Sequence, residues 1–138
     1  MQVVAFTDGG ARGNPGSAAI GGLIKTRLGD TTYSFSKFIG VATNNEAEYL
    51  ALIHVLEWLR DNVVSSKITE CTFKLDSMLV VQQVAKKWKI KEPRLQIHAQ
   101  TCWQLLEKIQ LPYSLLHVPR AQNAEADALV NAALDIAR

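Results

Sequence analysis

The sequence predicts an α/β domain built on a mixed five-stranded sheet, three antiparallel strands followed by two parallel ones, flanked by helices in the order βββαβααβα. Three observations predict it. The chain opens with three short apolar runs separated by turn residues, the pattern of an antiparallel meander. Helical spacing then alternates with two further apolar runs, the pattern of parallel crossover units. No internal repeat, low-complexity tract or linker interrupts the order, so residues 1–138 read as a single domain.

Residues 2–7 form the first expected strand. Residues 9–16 follow, with four glycines, an asparagine and a proline, and read as a loop in which glycine permits close backbone approach and Asn14-Pro15-Gly16 turns the chain. Residues 18–26 form the second strand and residues 31–39 the third, where Tyr33 and Phe35 alternate with Ser34 and Ser36. Residues 49–60 are apolar nearly all round, which predicts a helix buried against more than one neighbour. Asn45 is placed to cap it, with Glu48 three residues on to complete a capping box.

Residues 71–75 read as the fourth strand, ending at Asp76-Ser77, and residues 78–85 as a short helix. Lys86, Lys87, Lys89, Lys91 and Arg94 surround Trp88 in a basic segment interrupted by Glu92-Pro93, a mix suited to tracking a phosphate backbone while the aromatic packs on sugar or base. Leu95, Ala99, Cys102, Leu106 and Ile109 fall at helical spacing, and Pro112 ends that helix. Residues 113–118 give the fifth strand, 119–122 a short loop and 123–137 an alanine-rich last helix.

Composition sets the class. Of the 138 residues, 48% are hydrophobic and 20% charged, as in an ordinary globular domain, and the net charge of +2 does not by itself indicate nucleic acid. Cys71 and Cys102 lie far apart without a CxxC pair, which excludes a disulfide framework and a zinc finger. No apolar stretch reaches the roughly 18 residues of a membrane span, and the first residues lack a secretory pattern, so a cytoplasmic monomer with no obligatory protein partner is expected.

Four acids stand at strand ends or helix starts: Asp8 after the first strand, Glu48 in the first turn of the central helix, Asp76 after the fourth strand and Asp127 in the first turn of the last helix. Those ends share one rim of an α/β sheet, where such folds place their sites. Converging carboxylates repel one another unless cations occupy the site, and oxygen donors without His or Cys suit Mg²⁺ or Mn²⁺. A pair of such ions can activate water and stabilise a leaving oxygen in phosphodiester cleavage. Each residue also has a plain structural role: Asn45 with Glu48 as a helix cap, Asp76-Ser77 as the cap of the next helix, Asp127 as a dipole-favoured acid, Trp88 as a core anchor in a solvated turn.

Thr7-Asp8-Gly9-Gly10 through Gly13-Asn14-Pro15-Gly16, Thr43-Asn44-Asn45 through Glu48, Leu75-Asp76-Ser77, and Asn123 through Ala126-Asp127 together resemble type 1 ribonuclease H, in that family's motif order and over essentially the whole chain. The resemblance implies an endoribonuclease that cuts the RNA strand of an RNA/DNA hybrid with two Mg²⁺ ions, leaving 3′-hydroxyl and 5′-phosphate ends. It implies Asp8, Glu48, Asp76 and Asp127 as catalytic, metal-holding acids. It places Asn14 and Asn45 on ribose 2′-hydroxyls with help from Glu48 and the backbone of Gly9 and Gly10, and Thr43 with Asn14 on a DNA-strand phosphate; Arg12, Asn44, Trp88 and Lys89 join the expected substrate contacts.

Three departures from the family pattern stand out. The chain is too short for the basic protrusion that some members carry. Met78 occupies a position where members often have Gln, two residues after the fourth-strand acid. His117 has the spacing of a loop His found in some members but lies in an alternating strand run, so Arg120 is the residue expected at the scissile region, acting by charge. His54 and His98 are expected to be structural, and Glu125, which points elsewhere on the helix relative to Asp127, is left out of the metal set. The alternatives left by the sequence are a non-catalytic hybrid-binding domain of the same fold and the ribonuclease H part of a larger polyprotein.

Overall fold

The computed structural model describes residues 1–137. The elements are β1 (Gln2–Gly13), β2 (Gly16–Thr26), β3 (Thr31–Ala42), α1 (Asn44–Asn62), β4 (Glu70–Leu75), α2 (Met78–Val84), α3 (Pro93–Ile109), β5 (Tyr113–His117), a 3₁₀ turn (Arg120–Asn123) and α4 (Ala124–Ile136). The sheet order is β3-β2-β1-β4-β5. β1 is its centre, antiparallel to β2 and parallel to β4, and β5 runs parallel to β4. The predicted fold class and element order are those observed.

The two faces of the sheet are covered unequally. Val3, Ala5, Ile20, Ile24, Phe73 and Leu75 point to one face, where they meet α1, α2 and α3 in a single core with Leu52, Leu56, Leu59, Leu95 and Cys102. Because α1 is wedged between sheet and α3, its buried positions run from Ala47 and Tyr49 through Leu59 around most of its circumference. On the other face α4 lies alone, and its apolar contact is a small cluster of Ala19, Val130, Ala133 and Leu134. Gly21 makes that docking close: a Cβ there would sit 2.8 Å from the Leu129 Cβ and from the Val130 nitrogen.

Three local expectations are corrected. Residues 9–13 are not a loop but the continuation of β1, paired residue by residue with β2 from Gly9↔Ile20 to Gly13↔Gly16, and only Asn14-Pro15 forms the turn. Backbone pairing with β2 outweighs the turn chemistry of isolated glycines. Asn45 does not cap α1. Thr43 does, accepting from the Glu46 N–H at 3.1 Å while the Glu46 carboxylate accepts from the Thr43 N–H at 3.1 Å. The box is thus shifted two residues towards the N-terminus, which places Glu48 in the second turn and leaves its carboxylate available for other contacts. The segment before α4 closes as a 3₁₀ turn rather than an open loop.

Candidate active site

Register brings two of the acids together. Thr7 of β1 pairs with Leu75 of the parallel strand β4, so Asp8, the next residue of β1, and Asp76, just past the end of β4, come together where β4 stops. Glu48 arrives from α1. Its approach depends on Gly9, where a Cβ would lie 2.2 Å from the Ala47 carbonyl carbon and oxygen, and the Gly9 N–H donates to the Glu48 Oε1 at 2.5 Å. Asp8, Glu48 and Asp76 each offer an oxygen, all within 4.8 Å of one another.

The electrostatics of this cluster follow from its burial. Asp8 is 7% exposed, and desolvation, opposed in part by the hydrogen bond to Glu48 and reinforced by the charges of Asp76 and Asp127, raises its pKa to about 7. Burial first, then the charges of Asp8 and Asp76, lift Glu48 well above the usual carboxylate range. Without a cation the site therefore retains protons near neutrality. Three close, hard oxygen donors, with Asp8 and Glu48 holding protons, fit a divalent metal, whose charge repays the desolvation and replaces those protons.

Asp127, the fourth expected ligand, lies outside that triad. It sits half-buried on α4 with its Oδ2 accepting from Asn131 at 3.4 Å, near enough to Asp8 for its charge to be felt there. Glu125 points to Lys25, 2.5 Å away, as its exclusion from the metal set requires.

The remaining predicted residues divide into two groups. Asn14 and Asn44 clasp the β1–β2 hairpin to the start of α1: Asn14 Oδ1 accepts from the Asn44 N–H at 3.0 Å, and Asn44 Oδ1 accepts from the Ala11 N–H at 2.9 Å. Asn14, Thr43 and the exposed Asn45 then line a groove of about 500 Å³ beside the acids. Arg94, at the start of α3, shares that groove; the sequence places it in the basic set around Trp88, and the structure brings it to Asn14 and Thr43 instead. Arg94 and His98 approach the Glu46 carboxylate at 3.7 and 3.9 Å, which links α3 to the cap of α1.

The second group is more peripheral. Arg12 is held by Asp135 of α4 at 2.6 Å. Trp88 is 48% exposed and Lys89 is exposed between α2 and α3, so Trp88 is a surface residue rather than a core anchor. Lys86 lies 4.9 Å over the Trp103 ring. His117 is strand-bound opposite Leu75, as expected, and Arg120 is exposed at the start of the 3₁₀ turn. His54 is structural, its Nε2 2.8 Å from the Tyr33 hydroxyl and its pKa lowered by burial.

A family model described as reverse transcriptase-like matches residues 6–133. A bifunctional protein of Mycobacterium tuberculosis is 42% identical over 99% of the chain, which spans 36% of that relative's length. A ribonuclease HI of Halobacterium salinarum is 40% identical over 97% of the chain and 65% of its own. Among solved structures, a ribonuclease H1 isolated from compost superposes with a TM-score of 0.91 at 41% identity, covering 99% of this chain and 97% of that one. The same compost enzyme in complex with an RNA/DNA hybrid gives 0.90 at 40% identity, with 98% of each chain covered.

A carboxylate within the central strand, another just past the end of its parallel neighbour, and a helix carboxylate meeting them across a glycine define the ribonuclease H class of α/β protein. The chain belongs to the type 1 ribonuclease H family. It spans about a third of the length of the mycobacterial relatives it matches.

Proposed function

We propose that the chain is an endoribonuclease that hydrolyses the RNA strand of RNA/DNA hybrids and leaves 3′-hydroxyl and 5′-phosphate ends. The observation that carries this reading is the convergence of Asp8, Glu48 and Asp76 within 4.8 Å of one another, where β4 ends beside β1. The likeness to a ribonuclease H1 solved with an RNA/DNA hybrid supports the choice of substrate.

In this reading Asp8 and Asp76 flank the metal site and Glu48 closes it, oriented by its bond from Gly9. Asp127 supports the side from which water attacks. Two Mg²⁺ ions, with Mn²⁺ as a substitute, supply when bound the positive charge that polarises the phosphodiester and eases loss of a proton from the attacking water. The residues of the chain do the rest. Asn14, Asn45, and the backbone of Gly9 and Gly10 meet ribose 2′-hydroxyls, the group that distinguishes RNA from DNA. Thr43 and Arg94 hold a DNA-strand phosphate in the groove with Asn14. Trp88 and Lys89 carry the duplex beyond the site, and Arg120 supplies charge at the scissile region.

The test is a comparison of substrates. With Mg²⁺, the purified chain is expected to cut the labelled RNA of an RNA/DNA hybrid and to leave duplex RNA and duplex DNA intact. A hybrid that survives, or equal cutting of duplex RNA, overturns the reading.

A further inference from the structure

α4 carries Asp127 yet sits on the sheet face opposite the main core, so the packing that places Asp8, Glu48 and Asp76 does not place Asp127. The helix instead docks through a small apolar cluster, and something must fix its acid-bearing end against β1. Asn123 stands at that end. It is the N-cap of α4 and 1% exposed, but its side chain makes no capping bond to the helix. An N-cap Asn ordinarily accepts from a free N–H of the first turn. Here the side chain crosses to the sheet, and its Nδ2 donates to the Thr7 carbonyl at 2.8 Å, one residue before Asp8.

That bond is kept at a cost. Among the described residues, the two buried side-chain polar atoms without a partner are Asn123 Oδ1 and Thr7 Oγ1, the oxygens on either side of this contact. A buried polar atom left unsatisfied is destabilising, and an apolar side chain at position 123 would avoid the penalty on its own oxygen. Stability does not explain an Asn at this place.

We propose that Asn123 is a positioning residue for hydrolysis: by gripping the Thr7 carbonyl it locks the start of α4 to the middle of β1 and so sets Asp127 relative to Asp8. The inference rests on the functional reading above and names the residue that ties the fourth acid to the other three. Its expected signature is kinetic and metal-linked. Loss of a group that orients a metal-site ligand costs about 10- to 100-fold in metal affinity or activity.

The experiment compares the full chain with Asn123→Ala, Asn123→Asp and Leu134→Ala, the last loosening the same helix through its apolar cluster without touching the Thr7 carbonyl. For Asn123→Ala, the Mg²⁺ concentration giving half-maximal cleavage should rise and kcat fall by about 10-fold or more, with KM for the hybrid little changed. Calorimetric titration with Mn²⁺, independent of activity, should weaken in parallel. Asn123→Asp keeps the shape but at pH 8 offers no donor, and should share the defect; it also serves if the alanine variant does not fold. Leu134→Ala should lower the melting temperature and leave the metal titration near that of the parent. If Leu134→Ala shows the same metal and kcat defects, or if Asn123→Ala or Asn123→Asp binds Mn²⁺ as the parent does, the inference fails. A parent chain that leaves the hybrid intact sinks the functional reading instead, and the Mn²⁺ titrations still decide the role of Asn123.

Discussion

The Gly9 N–H and the Glu48 carboxylate meet at 2.5 Å, and this contact joins the central strand to the central helix at the acidic cluster. It exists because residue 9 has no side chain: a Cβ would fall 2.2 Å from the Ala47 carbonyl atoms and 2.6 Å from the Glu48 nitrogen. Backbone cannot yield as a flexible side chain can. Gly9→Ala is therefore expected to push α1 away from β1, destabilise the fold by roughly 3 kcal/mol and abolish activity even where the protein remains folded. Chemical denaturation and hybrid cleavage check both effects; an alanine variant as stable as the parent contradicts them.

The raised pKa values predict how stability follows pH. Asp8, at about 7 in the folded chain, and Glu48, well above its usual range, hold protons that the unfolded chain has already released. The contribution of these two groups to the stability of the metal-free protein is thus full below the ordinary carboxylate range, falls as pH rises through the window up to about 7, and falls further where Glu48 titrates. With EDTA the melting temperature should be lower at about pH 8 than at about pH 5. Mg²⁺ should restore it mainly at the higher pH. A melting temperature that does not fall over this range contradicts the assignment.

Removing one repelling charge should stabilise the empty site. Asp76→Asn relieves both Asp8 and Glu48, whose protonation its charge favours, and should raise metal-free stability at about pH 8 by on the order of 1–2 kcal/mol while eliminating the gain from Mg²⁺. Denaturant titrations with and without Mg²⁺ measure both. A loss of stability in the metal-free variant would show that the acids are not in conflict.

How far the sequence could be read depended on whether a feature is local. Asp8 and Asp76 were legible because each follows an apolar strand run, and parallel pairing of those strands through Thr7↔Leu75 makes them neighbours. Residues 9–13 were misread as a loop, since five consecutive residues with three glycines carry turn chemistry on their own and become strand only through β2. The capping box was misplaced because Thr43 with Glu46 and Asn45 with Glu48 both satisfy the pattern, and only helix entry geometry distinguishes them. The place of Arg94 in the groove at Asn14 and the bond of Asn123 to the Thr7 carbonyl escaped because those partners are distant in sequence.

The exposed basic segment has a distinct signature. Lys87 and Lys89 stand free on the surface beside Trp88. If they track the phosphate backbone, each Lys→Ala change should reduce the dependence of log affinity on log salt concentration by about 1 unit and weaken all hybrid sequences alike. Trp88→Ala should weaken binding without altering that slope. Binding titrations across salt concentrations test this, and unchanged affinity and slope in the lysine variants would reduce the segment to a solvated turn.

The central claim is that Asp8, Glu48 and Asp76 form a metal site that cleaves RNA paired to DNA. Its most direct measurement is the single-turnover cleavage of a labelled hybrid by the parent chain and Asp76→Asn, with Mg²⁺ and with EDTA. The account predicts cleavage to 3′-hydroxyl and 5′-phosphate ends by the parent with Mg²⁺ alone, and loss of about 10³-fold or more in the variant. Cleavage that persists in EDTA, or an Asp76→Asn protein that cuts as fast as the parent, would contradict it.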